Sequence, residues 1–278
     1  MKKYYLIFLI TLIFILSTSS IYATDFDDLE MAVYMSNTNY LQEQLEAGAD
    51  PNTRGSDGST VLHTAALFGD LNVVKLLIDY GADPNAKNDE GSTVLMNCVM
   101  NSVDIVDLLL EKGADVHARD SSGSTVLINA AMFGNLQIIE KLLAAGADIY
   151  IRNDNAETVL MFSTLNSPEV VNFFLEKDVD INAKSNDDDT ALMFAATIAD
   201  IETVKLLLDN GAEVNTKNKM GVTPLMNAAM HSAEIVTLLI ENGADVNAES
   251  DMNYTVLDYA EMVKDEEIIE ILKVAGAK

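Results

Sequence analysis

Three histidines, a single cysteine, one acidic run and a dense set of methionines are the side chains whose types invite chemistry. His63, His117 and His231 would serve proton transfer or a zinc site, and either needs several groups converging on one point. They fall at different places in the chain's repeating units, so neither a triad nor a three-histidine metal site assembles from them. Cys98 stands alone, which excludes an intramolecular disulfide and a cysteine-built zinc cluster. It takes the place that other units give to Ala65, Ala130 and Ala195, as a buried structural thiol does. The run Asn186-Asp187-Asp188-Asp189 offers carboxylates to calcium but lacks the spaced ligands and turn glycine of a calcium loop, so a solvated tip is expected. Met96, Met161, Met193 and Met226 recur at one place, and Met100, Met132, Met230 and Met262 four residues later in the same frame. Thioethers suit copper(I), yet filling gaps in a core that has no Trp needs no metal at all. No catalytic residue, cofactor or metal site is expected.

Composition narrows the partners. The 278 residues carry 17 Lys and Arg against 44 Asp and Glu, a formal charge of −27. Sequence-independent nucleic-acid binding needs a basic surface, and so does docking on anionic lipid. Neither nucleic acid nor membrane is therefore an expected partner of the mature chain. Half of the residues are hydrophobic (49%) but only 6% are aromatic, so the core rests on Leu, Ile, Val, Ala and Met.

The first 23 residues read as a secretory leader. Lys2 and Lys3 precede the uncharged run Tyr4 to Leu16, and Ser17 to Ala23 turns small and polar. That run is shorter than the ~20 residues needed to span a bilayer, which predicts cleavage after Ala23 in preference to retention as an anchor. Cleavage leaves 15 cations against 44 acids and a charge of −29. The mature protein is expected in the periplasm or outside the cell.

The rest is one repeat. Leu29, Leu62, Leu95, Leu127, Leu160, Leu192, Leu225 and Leu257 are spaced by 33, 33, 32, 33, 32, 33 and 32 residues. A Thr two residues ahead opens each unit after the first, from Thr60 to Thr255, and Gly-Ala-Asp or a near copy closes each. The units run about 24–54, 55–87, 88–119, 120–152, 153–184, 185–217, 218–249 and 250–278. In the second, Leu62, Ala65 and Ala66 share one face of a short first helix. Val73, Val74, Leu76 and Leu77 form the wider apolar stripe of a second, and Gly81 is the left-handed residue that ends it. Thr60 is placed to cap the first helix. No unit can bury its apolar face alone, so stability must come from stacking on its neighbours. The third, fifth and seventh units are one residue shorter, and the loss falls between their two helices.

The run Thr60-Val61-Leu62-His63-Thr64-Ala65-Ala66 with Gly81-Ala82-Asp83-Pro84-Asn85 resembles the ankyrin repeat. The resemblance spans residues 24–278; in the units after the first, Val or Ala replaces the family's Pro except at Pro224, and Met, Ile or Asp replaces its His except at His63. It implies an all-α solenoid of stacked helix–turn–helix units with projecting β-hairpin loops, in which His63 ties loops together. Together with the leader it points to an exported, bacterial-type protein that is no enzyme and acts as a monomer, binding a protein partner through a concave face of first helices and hairpins. The partner lies in the envelope or outside the cell, or is a foreign host protein; a metal-handling periplasmic protein is the remaining alternative.

Mapped onto this chain, the family's contact places give two rows. One is apolar, at the ends of first helices: Leu67, Phe68, Met100, Met132, Phe133, Leu165, Ile198 and Met230, with Tyr34, Met35 and Met262 beyond them. The other is a basic ladder at the ends of successive hairpins: Arg54, Lys87, Arg119, Arg152, Lys184 and Lys217, closed by Glu249. Pairing with local Asp is the competing role for the ladder, as core packing is for the apolar row.

Overall fold

The computed structural model describes residues 25–68, 70–100, 102–198 and 200–278. The leader assigned to residues 1–23 lies outside them. Among the described residues there are sixteen helices and no strand. The chain divides into two compact units, one ending at Gly113 and one running from Ala114 to Lys278.

The first holds α1 (Asp25–Tyr34), α2 (Thr38–Glu46), α3 (Val61–Phe68), α4 (Leu71–Asp79), α5 (Val94–Asn97) and α6 (Val103–Glu111). Helix α1 packs on α3 and α3 on α5, forming one row, while α2, α4 and α6 form a second row behind it. Leu29, Leu62 and Leu95 are sealed in the first row, and Leu41, Leu77 and Leu109 in the second. The leucine period is thus the period of the core.

The second unit repeats the plan with α7 (Val126–Phe133), α8 (Leu136–Ala144), α9 (Val159–Ser163), α10 (Pro168–Leu175) and α11 (Ala191–Ile198). It continues through α12 (Ile201–Asp209), α13 (Pro224–Ala228), α14 (Ala233–Glu241), α15 (Val256–Val263) and α16 (Glu266–Val274). Odd-numbered helices pack on one another in order, and each rests on the even-numbered helix that follows it. Leu127, Leu160, Leu192 and Leu225 are buried between them, while Leu257, in the last pair, is only half covered. An end repeat has a neighbour on one side only.

Local chemistry sets the helix ends. Thr93, Thr158, Thr190, Thr223 and Thr255 each accept the backbone N–H three residues on, at 3.2–3.4 Å. Thr60 departs from its expected role. Its hydroxyl meets His63 Nδ1 at 2.9 Å, and the His63 N–H donates to Thr60 O at 2.9 Å. Gly146 closes the α8 turn at φ +98°, with nothing within 4 Å of where a Cβ would stand. Asp178 takes the same left-handed conformation at φ +55° without glycine's freedom.

The missing residue of every second unit is found in the first helix. Helices α3, α7 and α11 have eight residues, but α5 has four and α9 and α13 have five. The chain must reach the cap of its second helix one residue sooner, so the last turn of the first helix opens. Met100, Leu165 and Met230, expected at helix ends, therefore lie in turns. The projecting hairpins are closed by single antiparallel bridges, such as Arg54 with Thr60 and Arg152 with Thr158.

Candidate functional site

Successive hairpins are stitched through their backbones and by two side-chain systems. One uses asparagine. Asn52 Nδ2 donates to Gly81 O at 2.9 Å while its Oδ1 accepts from Asp83 N at 2.8 Å. Asn215 repeats both bonds with Gly243 and Asp245 in the second unit. His117 and Tyr150 stand where this asparagine would be, and neither side chain offers a carboxamide.

The other system is the basic ladder. Arg54 Nη1 donates to Lys87 O at 2.6 Å, Arg119 Nη2 to Arg152 O at 2.9 Å, Arg152 Nη1 to Lys184 O at 2.9 Å, and Lys217 Nζ to Glu249 O at 2.7 Å. Each cation holds the carbonyl of the next rung. Arg119 also pairs with Asp154 at 3.3 Å. All six rungs remain exposed, but four of them have this mechanical task, and Lys87 and Lys184 each supply a carbonyl to it.

The histidines and the cysteine sit in unlike surroundings. His63 is buried; Thr60 N–H points at its Nδ1 at 3.1 Å, which leaves Nε2–H to donate to Ser92 O at 3.2 Å on the next hairpin. Burial pushes its pKa down, and the Arg54 charge adds to the effect. His117 and His231 are exposed. Cys98 Sγ donates to Leu95 O at 3.1 Å, and burial pushes the thiol up to about 12. A thiol held protonated is a poor nucleophile. Among the described residues no group of three His, Cys, Asp or Glu is arranged to hold a metal ion.

The apolar row faces outward. Phe68 and Phe133 are each 50% exposed, and Met100, Leu165, Ile198 and Met230 are exposed as well, while Leu67 and Met132 are partly covered. The methionines that precede this row by four residues, Met96, Met161, Met193 and Met226, are buried.

Each unit has a recess lined by members of its own apolar row. In the first unit a hollow of about 600 Å³ collects Arg54, Leu67 and Phe68 from the expected rows. With them stand Glu30 and Tyr34 of α1, whose ring packs 5.8 Å from that of Phe68. Glu30 takes a hydrogen bond from Thr64 Oγ1 at 3.0 Å; burial raises its pKa, and the charges of Asp27 and Asp57 push the same way. Tyr34 is pushed up to about 12 by burial. In the second unit a groove of about 310 Å³ brings together Leu165 and Ile198 with Met193, Phe194, Asn227 and Asp189. Met193 belongs to the recurring methionines and Asp189 to the acidic run, but composition and motif spacing do not single out Phe194 or Asn227. The signal for Phe194 lies in the repeat register: the place holds Thr64, Asn97, Asn129 and Asn227 elsewhere and turns aromatic only at Phe162, Phe194 and Tyr259.

Among the described residues no helix is long and apolar enough to cross a membrane. A comparison with curated proteins finds no match. Protein-family models do match: one described as ankyrin repeats (3 copies) covers residues 29–120, 127–218 and 192–278, and one described as ankyrin repeats (many copies) covers 98–143. Repeats of this kind are generally non-catalytic and bind proteins. With paired helices in two rows, bridged hairpins between them and family models matched over most of its length, the chain belongs to the ankyrin repeat family.

Proposed function

We propose that this chain is an exported, monomeric, non-catalytic scaffold that recognises a protein partner on the face shared by its first helices and hairpins. The observation that carries the reading is the outward placement of the apolar row. Phe68, Phe133 and Ile198 end their helices in solvent, although each lies within a few residues of a fully buried leucine or alanine. Apolar surface gains about 25 cal/mol per Å² on leaving water, so a row of such side chains favours a partner that covers it. The ladder supports the same face indirectly, by holding the hairpins in register beside it. Export rests on the leader sequence, and the high negative charge argues for a protein partner over nucleic acid or lipid.

The test is site-specific photocrosslinking in the native compartment. A photoreactive residue in place of Phe133 should capture a partner, whereas one in place of the exposed Glu140 on α8 should not. Capture from position 140 alone would move the interface to the second helices and overturn the reading. Fractionation with N-terminal sequencing should find a soluble chain beginning near Thr24. Full-length protein held in membranes would make residues 4–16 an anchor.

A further inference from the structure

The groove in the second unit is small and chemically one-sided. Leu165 and Ile198, 38% and 41% exposed, line it together with partly covered Phe194 and buried Met193. Its polar neighbours are spoken for: Thr197 donates its hydroxyl to Met193 O at 2.9 Å, and Asn227 Nδ2 donates to the same oxygen at 3.3 Å. The exception is Asp189. Asn218 Nδ2 reaches Asp189 Oδ1 at 2.8 Å, but an ionised carboxylate has about four acceptor sites, so capacity for a further donor remains. A volume of about 310 Å³ is at the bottom of the ~300–1,000 Å³ range of small-ligand pockets, which suits one large side chain better than a cofactor.

Asp189 is the charged side chain that lines the groove. It continues the tip formed by Asp187 and Asp188, and the cations of this hairpin and the next, Lys184, Lys217 and Lys219, equal these carboxylates in number. The field a partner meets is therefore set by Asp189 inside the groove and by the net charge of the chain. Lys217 is committed to Glu249 O. The whole chain carries −27. A segment that brings an apolar residue here must approach through a negative field, which favours a cationic one and repels an acidic one.

We propose that this groove takes a large apolar side chain from a Lys- or Arg-bearing segment of the protein partner, with Asp189 pairing the flanking cation. The inference rests on the protein-binding reading and specifies which residues read the partner. An unmodified lysine or arginine suffices; the carboxylate supplies charge, and the groove supplies the anchor.

The test uses random peptides displayed on phage and selected against the full chain, followed by affinity measurements with the enriched peptides as the synthetic probes. Enriched peptides should place Leu, Met, Ile or Phe next to Lys or Arg. Ile198→Ser should weaken them roughly tenfold or more, as loss of an anchoring contact does. Asp189→Asn keeps the acceptor for Asn218 and removes only the charge; it should weaken binding by about twofold to fivefold and flatten the dependence on salt. Thermal melts of both variants should match the parent chain. Enrichment of acidic or uncharged peptides would overturn the pairing by Asp189. Peptides insensitive to Ile198→Ser and Leu165→Ser, yet lost on Phe133→Ala, would overturn the groove while leaving the protein-binding face intact. Failure to enrich any peptide would overturn recognition of a linear segment, whereas failure of the binding face itself is read from crosslinks at position 133, not from this selection.

Discussion

Met226 and Met230 lie four residues apart, the spacing that normally puts two side chains on one helical face, yet the first is sealed and the second meets solvent. The same contrast separates Met96 from Met100. In both places the first helix is short. Helix α13 ends at Ala228 and α5 at Asn97, so the later methionine falls in the turn beyond the helix. Where the helix keeps eight residues, as in α7, Met132 stays inside it half covered and Phe133 takes the exposed end. The one-residue deletion therefore moves the exposed methionine out of the helix and into the turn, whereas Met262 is exposed inside the eight-residue α15. The floor of the first-helix row is buried, and its rim meets solvent.

The largest effect expected from this division is on the floor. Met226→Ala should destabilise the chain by about 2–5 kcal/mol in urea unfolding, as other large-to-small core changes do, while Met230→Ala should stay within about 0.5 kcal/mol. Equal losses would erase the distinction between floor and rim. Next comes Gly146→Val. Because a Cβ there meets nothing within 4 Å, the penalty comes from the left-handed backbone alone, about 1–2 kcal/mol. Gly146→Asn should recover part of it, since asparagine tolerates that conformation; no difference between the two would assign the loss to contacts instead.

A smaller effect depends on pH. Burial lowers the pKa of His63, so between its folded value and the unfolded value of about 6.5 the unfolded chain binds more protons. Its contribution to stability is complete above about pH 6.5 and declines as the pH falls through that window. Unfolding midpoints measured from neutral pH downward should show this slope in the parent chain and a flatter one in His63→Gln. An unchanged slope would place the titration elsewhere. Least perturbed in stability should be Phe68→Ala and Phe133→Ala, each within about 0.5 kcal/mol, although partner binding falls by about 2 kcal/mol. A sharp drop in melting temperature would return both rings to the core.

Much of this was legible before any coordinates. Leucines recurring at 32 or 33 residues, with Thr ahead and Gly behind, determined the helix pairs, their number and the core, because each position repeats a local requirement: a cap, a buried stripe, a left-handed stop. Cys98 as a buried thiol followed from the same register, and His63 as a tie between loops from the resemblance to the ankyrin repeat. What the one-dimensional pattern left open lies between repeats. Whether Arg54 would face a partner or hold Lys87 O depends on a carbonyl 33 residues away, and only stacking brings the two within 2.6 Å. That Asp189 shares a groove with Leu165, 24 residues before it, was likewise settled by packing. Periodicity reports what every unit must do alone; how adjacent units meet depends on distances between residues that the sequence keeps far apart, and tertiary structure alone decides those.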